Sequence, residues 1–461
     1  MVTDGISAGD TTWVLVAAAL VMLMTPGLAF FYGGLVREKN VLGTIMHSFV
    51  VIALVSLLWV TVGYSLAFGP DHGGIIGGLD WLLLRHVGQT ANADYAATIP
   101  HLAFMVFQMM FAVITPALIT GAFAERAKFS TFLVFTALWS LLVYAPVAHW
   151  VWAPGGWLRE LGALDFAGGT VVHVNAGIAA LVAAIMYGKR LEFGKEAVEP
   201  HDVSMMMLGV AILWFGWFGF NAGSALAANG LAINAFVVTH VAAAAAALTW
   251  MLLSWAQSKK PSAVGVGAGA VAGLVATTPA SGYVDAGPAI AIGIGAGVFC
   301  YLAVQLRHRL HLDDTLDVVG VHGVGGAWGA IATGIFASVA VNAAGADGLI
   351  HGNPGQLGTQ ALAVGVTLGY SLIATLVILR VLDWVMGLRV SEEEEKLGLD
   401  ISQHGERAYT LQGLSVQSVA ELTVPRPRRW AYERGRSLAA NGTGGLPSKL
   451  LERETKPWIR K

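Results

Sequence analysis

Eleven apolar runs follow one another along the first 386 residues, all of them at or above the ~20 residues a helix needs to cross a bilayer core of ~30 Å. They fall near 12–36, 41–68, 99–124, 129–152, 168–188, 203–228, 233–257, 262–282, 285–306, 318–338 and 357–386. Such a pattern leaves few folds open, and composition closes the remaining ones. Apolar residues make up 56% of the 461 residues and charged residues 12%, with a mean hydropathy of +0.65. A soluble chain carries about a quarter charged residues, so this one cannot coat a water-facing surface. The expected fold is therefore an all-α polytopic membrane protein, which excludes disordered, collagen-like and ordinary soluble classes. A single cysteine, Cys300, excludes an intramolecular disulfide framework and a cysteine-based zinc site. Charge is unevenly spread. Residues 1–386 hold 33 charged side chains, whereas the 75 residues from Gly387 onward hold 23. That jump predicts a transmembrane domain over 1–386 and a polar cytoplasmic remainder.

Orientation follows from the Lys/Arg bias of short loops. With the N-terminus outside, the inner loops carry Arg37, Lys39, Arg126, Lys128, Lys189, Arg190, Lys195, Lys259, Lys260, Arg307 and Arg309. The outer segments carry only Arg85 and Arg159. The expectation is N-terminus out and C-terminus in, with the first run a true span rather than a cleaved leader: acids precede it, and it has no basic flank.

Eleven spans divide as five, five and one, and two odd units in succession must be inverted relative to each other. Val172-His173 followed by Gly177 in the fifth run, and Val321-His322 followed by Gly326 in the tenth, are a trace of that repeat. Each is preceded by an acid at an expected helix start, Asp165 and Asp317, for which N-capping is the favoured role. Two histidines would then reach the same mid-membrane zone from opposite sides. Ionisable groups at membrane depth usually face a cavity or the bundle interior. A lone histidine there is as well explained by helix-to-helix hydrogen bonding, but a pseudo-symmetric pair points to function. Nothing at metal-ligand spacing accompanies either one, so no metal and no other cofactor is expected. The P-loop ending is absent, which argues against an ATP-driven pump. Trp150, Trp152 and Trp157 cluster at the outer end of the fourth run. They read either as an interfacial belt or as a ring face for a cation, worth up to ~2 kcal/mol when desolvated.

Several long motifs carry a specific resemblance. They are Pro26-Gly27 with Phe31 through Arg37, Gly121 through Arg126, Asp165 through Asn175, Trp217 through Ser224, and Asp317 with Val321 through Val324. Across almost all of 1–410 the chain resembles the ammonium transporters of the Amt/Mep/Rh group, in its Amt branch. The resemblance implies a homotrimer in the plasma (inner) membrane with one pore per subunit, NH4+/NH3 and methylammonium as substrates, and no enzymatic or nucleic-acid role. It implies an outer cation site of Trp152, Phe111 and Ser224, a gate of Phe111 and Phe220, and a lumen with the twin histidines His173 and His322. Asp165 would support the outer site, and Leu28, Trp217 and Val318 would line the pore.

The resemblance extends into the tail. Gly387 through Asp400 and His404 through Glu406 are similar to the family's cytoplasmic coupling segment, expected here over 387–410. It also implies a PII-type signal protein as a partner on the cytoplasmic face. Residues 411–461 depart from the family pattern and read as a polar tail, disordered by composition, whose basic cluster Pro425 through Arg429 is also suited to anionic lipid. Three other classes compete with transport: a low-flux ammonium sensor, an Rh-type gas channel and an intramembrane enzyme. Both histidines favour flux over the sensor, Trp152 argues against the gas channel, and no third ligand supports the enzyme.

Overall fold

The computed structural model describes residues 5–195 and 199–409. The expected tail over 411–461, including its basic cluster, lies outside the described residues. Among the described residues ten helices are long and apolar enough to cross a membrane. They include Ala8–Leu35, His101–Ala122, Phe129–Glu160, Gly169–Tyr187, Val203–Gly223, Val319–Phe336 and Pro354–Met386. The eighth expected run is shorter than read from the sequence. Its helix, Ala263–Thr277, has 15 residues, and the chain then turns through 278–283 around Pro279. Proline lacks the N–H that continues a helix, so the apolar run outlasts the helix.

Polar side chains at the helix starts account for several boundaries. Ser7, Asp202, Asn229 and Ser262 each accept a hydrogen bond from a backbone N–H of the first turn. Burial is uneven. Over its most apolar stretch the third span is 83% buried and the last span 39%, so the third lies inside the bundle and the last at its edge. The first and sixth spans lie in backbone contact, since a Cβ on Gly209 would come 2.2 Å from the Phe31 nitrogen. Only glycine permits that approach.

Two features depart from an all-α reading. The segment between the second and third spans folds into two short antiparallel hairpins, Asp71–His72 with Ile76–Gly77 and Ala91–Asn92 with Ala96–Pro100. Four spans also contain a wider π-helical turn: Trp59–Gly63, Ser140–Tyr144, Gly169–Val174 and Val319–Val324. The last two hold His173 and His322, in keeping with the tendency of π turns to mark functional positions.

Residues 387–409 pack against the ends of the spans. The Asp400 carboxylate accepts from the Leu42 and Gly43 N–H groups at the start of the second span. Leu399 N donates to Asn40 Oδ1, and Leu191 N to Glu395 Oε1. Beneath this segment lies a buried ion network in which Glu125 bonds Arg37, Asn40 and Arg190, and Arg190 also grips Asp313. Burial alone would push the Glu125 carboxyl up, but the Arg190 and Arg37 guanidiniums hold it down at about 2.

Candidate functional site

The fifth and tenth spans enter the bundle through the same local device. The Asp165 carboxylate accepts from the N–H groups of Gly168 (2.7 Å), Gly169 (2.6 Å), Thr170 (2.8 Å) and Val171 (3.2 Å), and from the Thr170 hydroxyl. Burial raises the carboxyl pKa, against the pull of the hydrogen bonds from Thr170, Gly168 and Val171. The expected counterpart, Asp317, does not cap its helix. Its carboxylate pairs with Arg307 Nε at 2.6 Å, and its backbone is left-handed with φ 59°. The cap is Asp314, whose Oδ2 accepts from Val319 N at 2.8 Å. This corrects the register of the repeat. Asp165 and Asp314 each stand eight residues before their histidine, and three residues after each acid the backbone is left-handed, at Gly168 (φ 114°) and Asp317. The eight-residue spacing was present in the sequence, but the nearer acid masked it.

The two spans cross where the histidines sit. A Cβ on Gly177 would fall 2.2 Å from the Gly323 Cα, and one on Gly326 would fall 2.9 Å from the His173 Cβ. With hydrogens in both places, His322 Nδ1 and His173 Nδ1 approach to 3.2 Å. An Nδ1–Nδ1 hydrogen bond requires one ring to donate and the other to accept. Protonating both rings would set two N–H groups against each other, so the bonded pair holds at most one extra proton between them. His173 Nε2 is buried and has no partner in the protein.

Aromatic rings continue the line away from the histidine pair. His173 stacks on Trp217 (5.4 Å between centroids) and on Phe220 (6.0 Å). Phe220 meets Phe111 at 4.3 Å, and Phe111 meets Trp152 edge-on at 5.9 Å. Trp152 Nε1 donates to the Asp165 carbonyl at 2.9 Å, which fixes the indole plane. The Ser224 hydroxyl donates to the Phe220 carbonyl at 2.8 Å, so its oxygen keeps lone pairs for a further donor.

Trp152, Phe111 and Ser224 line one outer cavity of about 170 Å³ together with Gln108, Tyr95 and Arg159. Below the Phe111–Phe220 contact a cavity of about 10 Å³ is lined by Leu28, Trp217, Phe220, His173 and His322 among others. That is room for about one water-sized molecule. On the far side of His322 a cavity of about 570 Å³ is lined by Phe31, Arg190, Arg307, Asp317 and Val321. The structure thus brings together every residue expected at the outer site, the gate and the lumen except Val318. That side chain packs over Gly121 and is absent from all three cavities.

Sequence reasoning missed Asp314, Gln108 and the hairpin residues Asp94 and Tyr95. Gln108 was concealed in an apolar run, although a buried amide oxygen without a partner is what a donor ligand needs. Asp94 and Tyr95 come from a loop that sequence alone does not place over the cavity. Among the described residues no three His, Cys, Asp or Glu side chains gather into a metal-holding group.

Comparison with known proteins finds relatives along most of the chain. The model of the Ammonium Transporter Family matches residues 12–409. An ammonium transporter of Bacillus subtilis (strain 168) is 53% identical over 402 residues, spanning 87% of this chain and 98% of its own. The ammonium transporter Amt1 of Archaeoglobus fulgidus is 50% identical, spanning 88% of this chain and 100% of its own. Among solved structures, Mep2 of Candida albicans superposes with a TM-score of 0.81 at 38% identity, covering 88% of this chain and 91% of that one.

Proposed function

The chain belongs to the ammonium transporter family, and from that premise we propose that it captures NH4+ at the outer cavity, strips it of a proton and passes the nitrogen inward as NH3. One observation carries the reading: the unbroken line of rings from Trp152 through Phe111 and Phe220 to the hydrogen-bonded histidines. An indole face attracts a desolvated cation by up to ~2 kcal/mol. The free lone pairs of Ser224 accept one of its N–H groups. Below, the 10 Å³ constriction leaves no room for a hydration shell. A bare ammonium ion there would face a penalty of several kcal/mol or more, whereas neutral NH3 would not. K+ has similar size and charge but no proton to lose, so a pore that demands deprotonation rejects it. The histidines supply one donor and one acceptor edge to a neutral molecule.

Within this reading the N-terminus lies outside, the two five-span halves form an inverted repeat, and three copies assemble in the plasma (inner) membrane. Residues 1–386 then form the transport domain, 387–410 couple the subunits, and a PII-type protein binds on the cytoplasmic face. Methylammonium, which keeps N–H protons, is a second substrate.

The test is the current or uptake evoked by ammonium in reconstituted protein. Trp152→Leu should raise the half-saturating ammonium concentration roughly tenfold, from ~1–2 kcal/mol of lost cation attraction, and should matter less at saturation. Unchanged uptake at limiting ammonium would remove Trp152 from the site. A low-flux sensor is separated by the uptake arm of the same assay, since it would bind ammonium without moving it across the membrane.

A further inference from the structure

A cation site normally excludes fixed positive charge, yet the outer cavity carries a guanidinium. Arg159 lines it together with Trp152, Phe111 and Ser224, and Asp94 lines it too. Arg159 sits on the short helix Trp157–Glu160, which is held by the Trp157 N–H on the Gly74 carbonyl (3.2 Å) and by the Trp150–Trp157 ring contact. Its Nη1 donates to the Trp152 carbonyl oxygen at 2.6 Å. No ion pair among the described residues engages Arg159 or Asp94, so both charges act on the cavity without a direct partner.

We propose that Arg159 is a positioning and specificity-determining residue of the outer cation site, sealing the Trp152 carbonyl against oxygen-seeking cations and, together with Asp94, setting the charge balance at the mouth. The inference rests on the outer-site reading above and adds to it. Alkali cations replace their hydration shell with carbonyl oxygens. The Trp152 carbonyl is the backbone oxygen belonging to the residue whose indole faces the ligand, and the guanidinium occupies it. What remains open to a cation is a ring face with the Ser224 and Gln108 side-chain oxygens, one backbone oxygen fewer than the cavity would otherwise offer. Trp152 is held from two sides, its indole on Asp165 and its carbonyl under Arg159. The cost is repulsion of every arriving cation, which the Asp94 carboxylate offsets. Because both groups are exposed, their field is screened by salt.

Ammonium uptake at low and high ionic strength tests the proposal, with N-methylglucamine chloride as the added salt and K+ as competitor. Arg159→Gln removes the charge and keeps a donor for the carbonyl. It should lower the half-saturating ammonium concentration two- to fourfold at low salt, an effect that vanishes at high salt. Asp94→Asn should raise it by a similar factor. Arg159→Ala, which uncovers the carbonyl, should in addition let K+ inhibit at limiting ammonium about threefold more strongly than in wild type. Three results each overturn the proposal: an unchanged half-saturation in Arg159→Gln at low salt, a change that persists at high salt, or unaltered K+ sensitivity in Arg159→Ala. Trp152→Leu in the same assay separates the two readings. If it also changes nothing, the outer site itself is misassigned; if it weakens recruitment while the Arg159 variants change nothing, only this inference falls.

Discussion

The turn that leads to His173 and the turn that leads to His322 are built on one plan and finished differently. Each has an acid eight residues before the histidine, a left-handed residue three after the acid, and a π-helical turn around the histidine. In the outer turn five donors surround the Asp165 carboxylate and the left-handed residue is glycine. In the inner turn Asp314 has a firm hydrogen bond from Val319 N, and its Oδ1 is buried without a partner. There the left-handed residue is Asp317, whose Cβ makes that conformation costly. The lesson is that pseudo-symmetry was kept where it aims the histidines and relaxed in the groups that hold them. The outer acid is a structural clasp. The inner acid is a poorly satisfied buried carboxyl, which burial and the neighbouring Asp317 push up to about 7.

Four measurements break or sharpen this comparison. The largest effect belongs to the histidines, where the two halves should behave alike. His173→Ala and His322→Ala should each cut selective ammonium flux per assembled protein by more than about 100-fold, because an alanine can neither donate nor accept. His322→Glu should keep some flux with poorer K+ discrimination, since a carboxyl group in an apolar setting protonates and then does both. Normal flux with normal K+ rejection in His173→Ala would end the twin-histidine role. Loss of folded protein in both alanine variants would instead make the pair structural.

Next come the acids, where the halves should differ. Asp165→Ala leaves four buried N–H groups unpaired at ~1–3 kcal/mol each, so several kcal/mol of stability should go. Asp314→Ala should cost no more than about 1–2 kcal/mol. Thermal unfolding of the detergent-solubilised variants checks this, and equal losses would show that the two turns are equivalent after all.

The third test uses pH. A carboxyl whose folded pKa is raised contributes stability that is fully present below its unfolded value of ~4 and is lost as pH rises through about 7. Wild type should therefore lose on the order of 2 kcal/mol relative to Asp314→Asn between pH 5 and pH 8. Glu125 has the opposite sign, with a contribution present above pH ~4.3 and lost only as pH falls toward about 2, so it leaves that window clear. A flat difference between the two proteins from pH 5 to 8 would place Asp314 among ordinary carboxylates.

The smallest effect concerns backbone strain. Asp317→Gly should relieve a left-handed non-glycine residue worth ~1 kcal/mol and forfeit the half-buried Arg307 pair, worth on the order of 1 kcal/mol. The unfolding midpoint should accordingly move little. A loss above about 2 kcal/mol would mean that the Arg307–Asp317 pair holds the inner turn together in the way Asp165 holds the outer one.

Much of this molecule was legible because a bilayer simplifies the problem. A helix crossing hydrocarbon must satisfy its own backbone and present apolar side chains, so length and hydropathy alone located the spans. The departures arose where local geometry overrides a hydropathy count, as at Pro279, where the apolar run continues after the helix has stopped. The histidine pair was legible for a similar reason, since polar groups are so costly at that depth that few other residues compete for attention.

The sequence by itself determined that the chain is a polytopic helical membrane protein, which residues it commits to mid-membrane depth, and that its two halves share a motif. The tertiary structure alone decided which acid caps the tenth span, that the Val318 side chain packs over Gly121, and that Asp94 and Arg159 share a cavity with Trp152. The division has a physical cause. Transfer of a side chain into hydrocarbon is a property of that residue and its neighbours along the chain. Whether a carboxylate finds an N–H, or a guanidinium finds a carbonyl, depends on distances of about 3 Å between groups that only the folded backbone brings together.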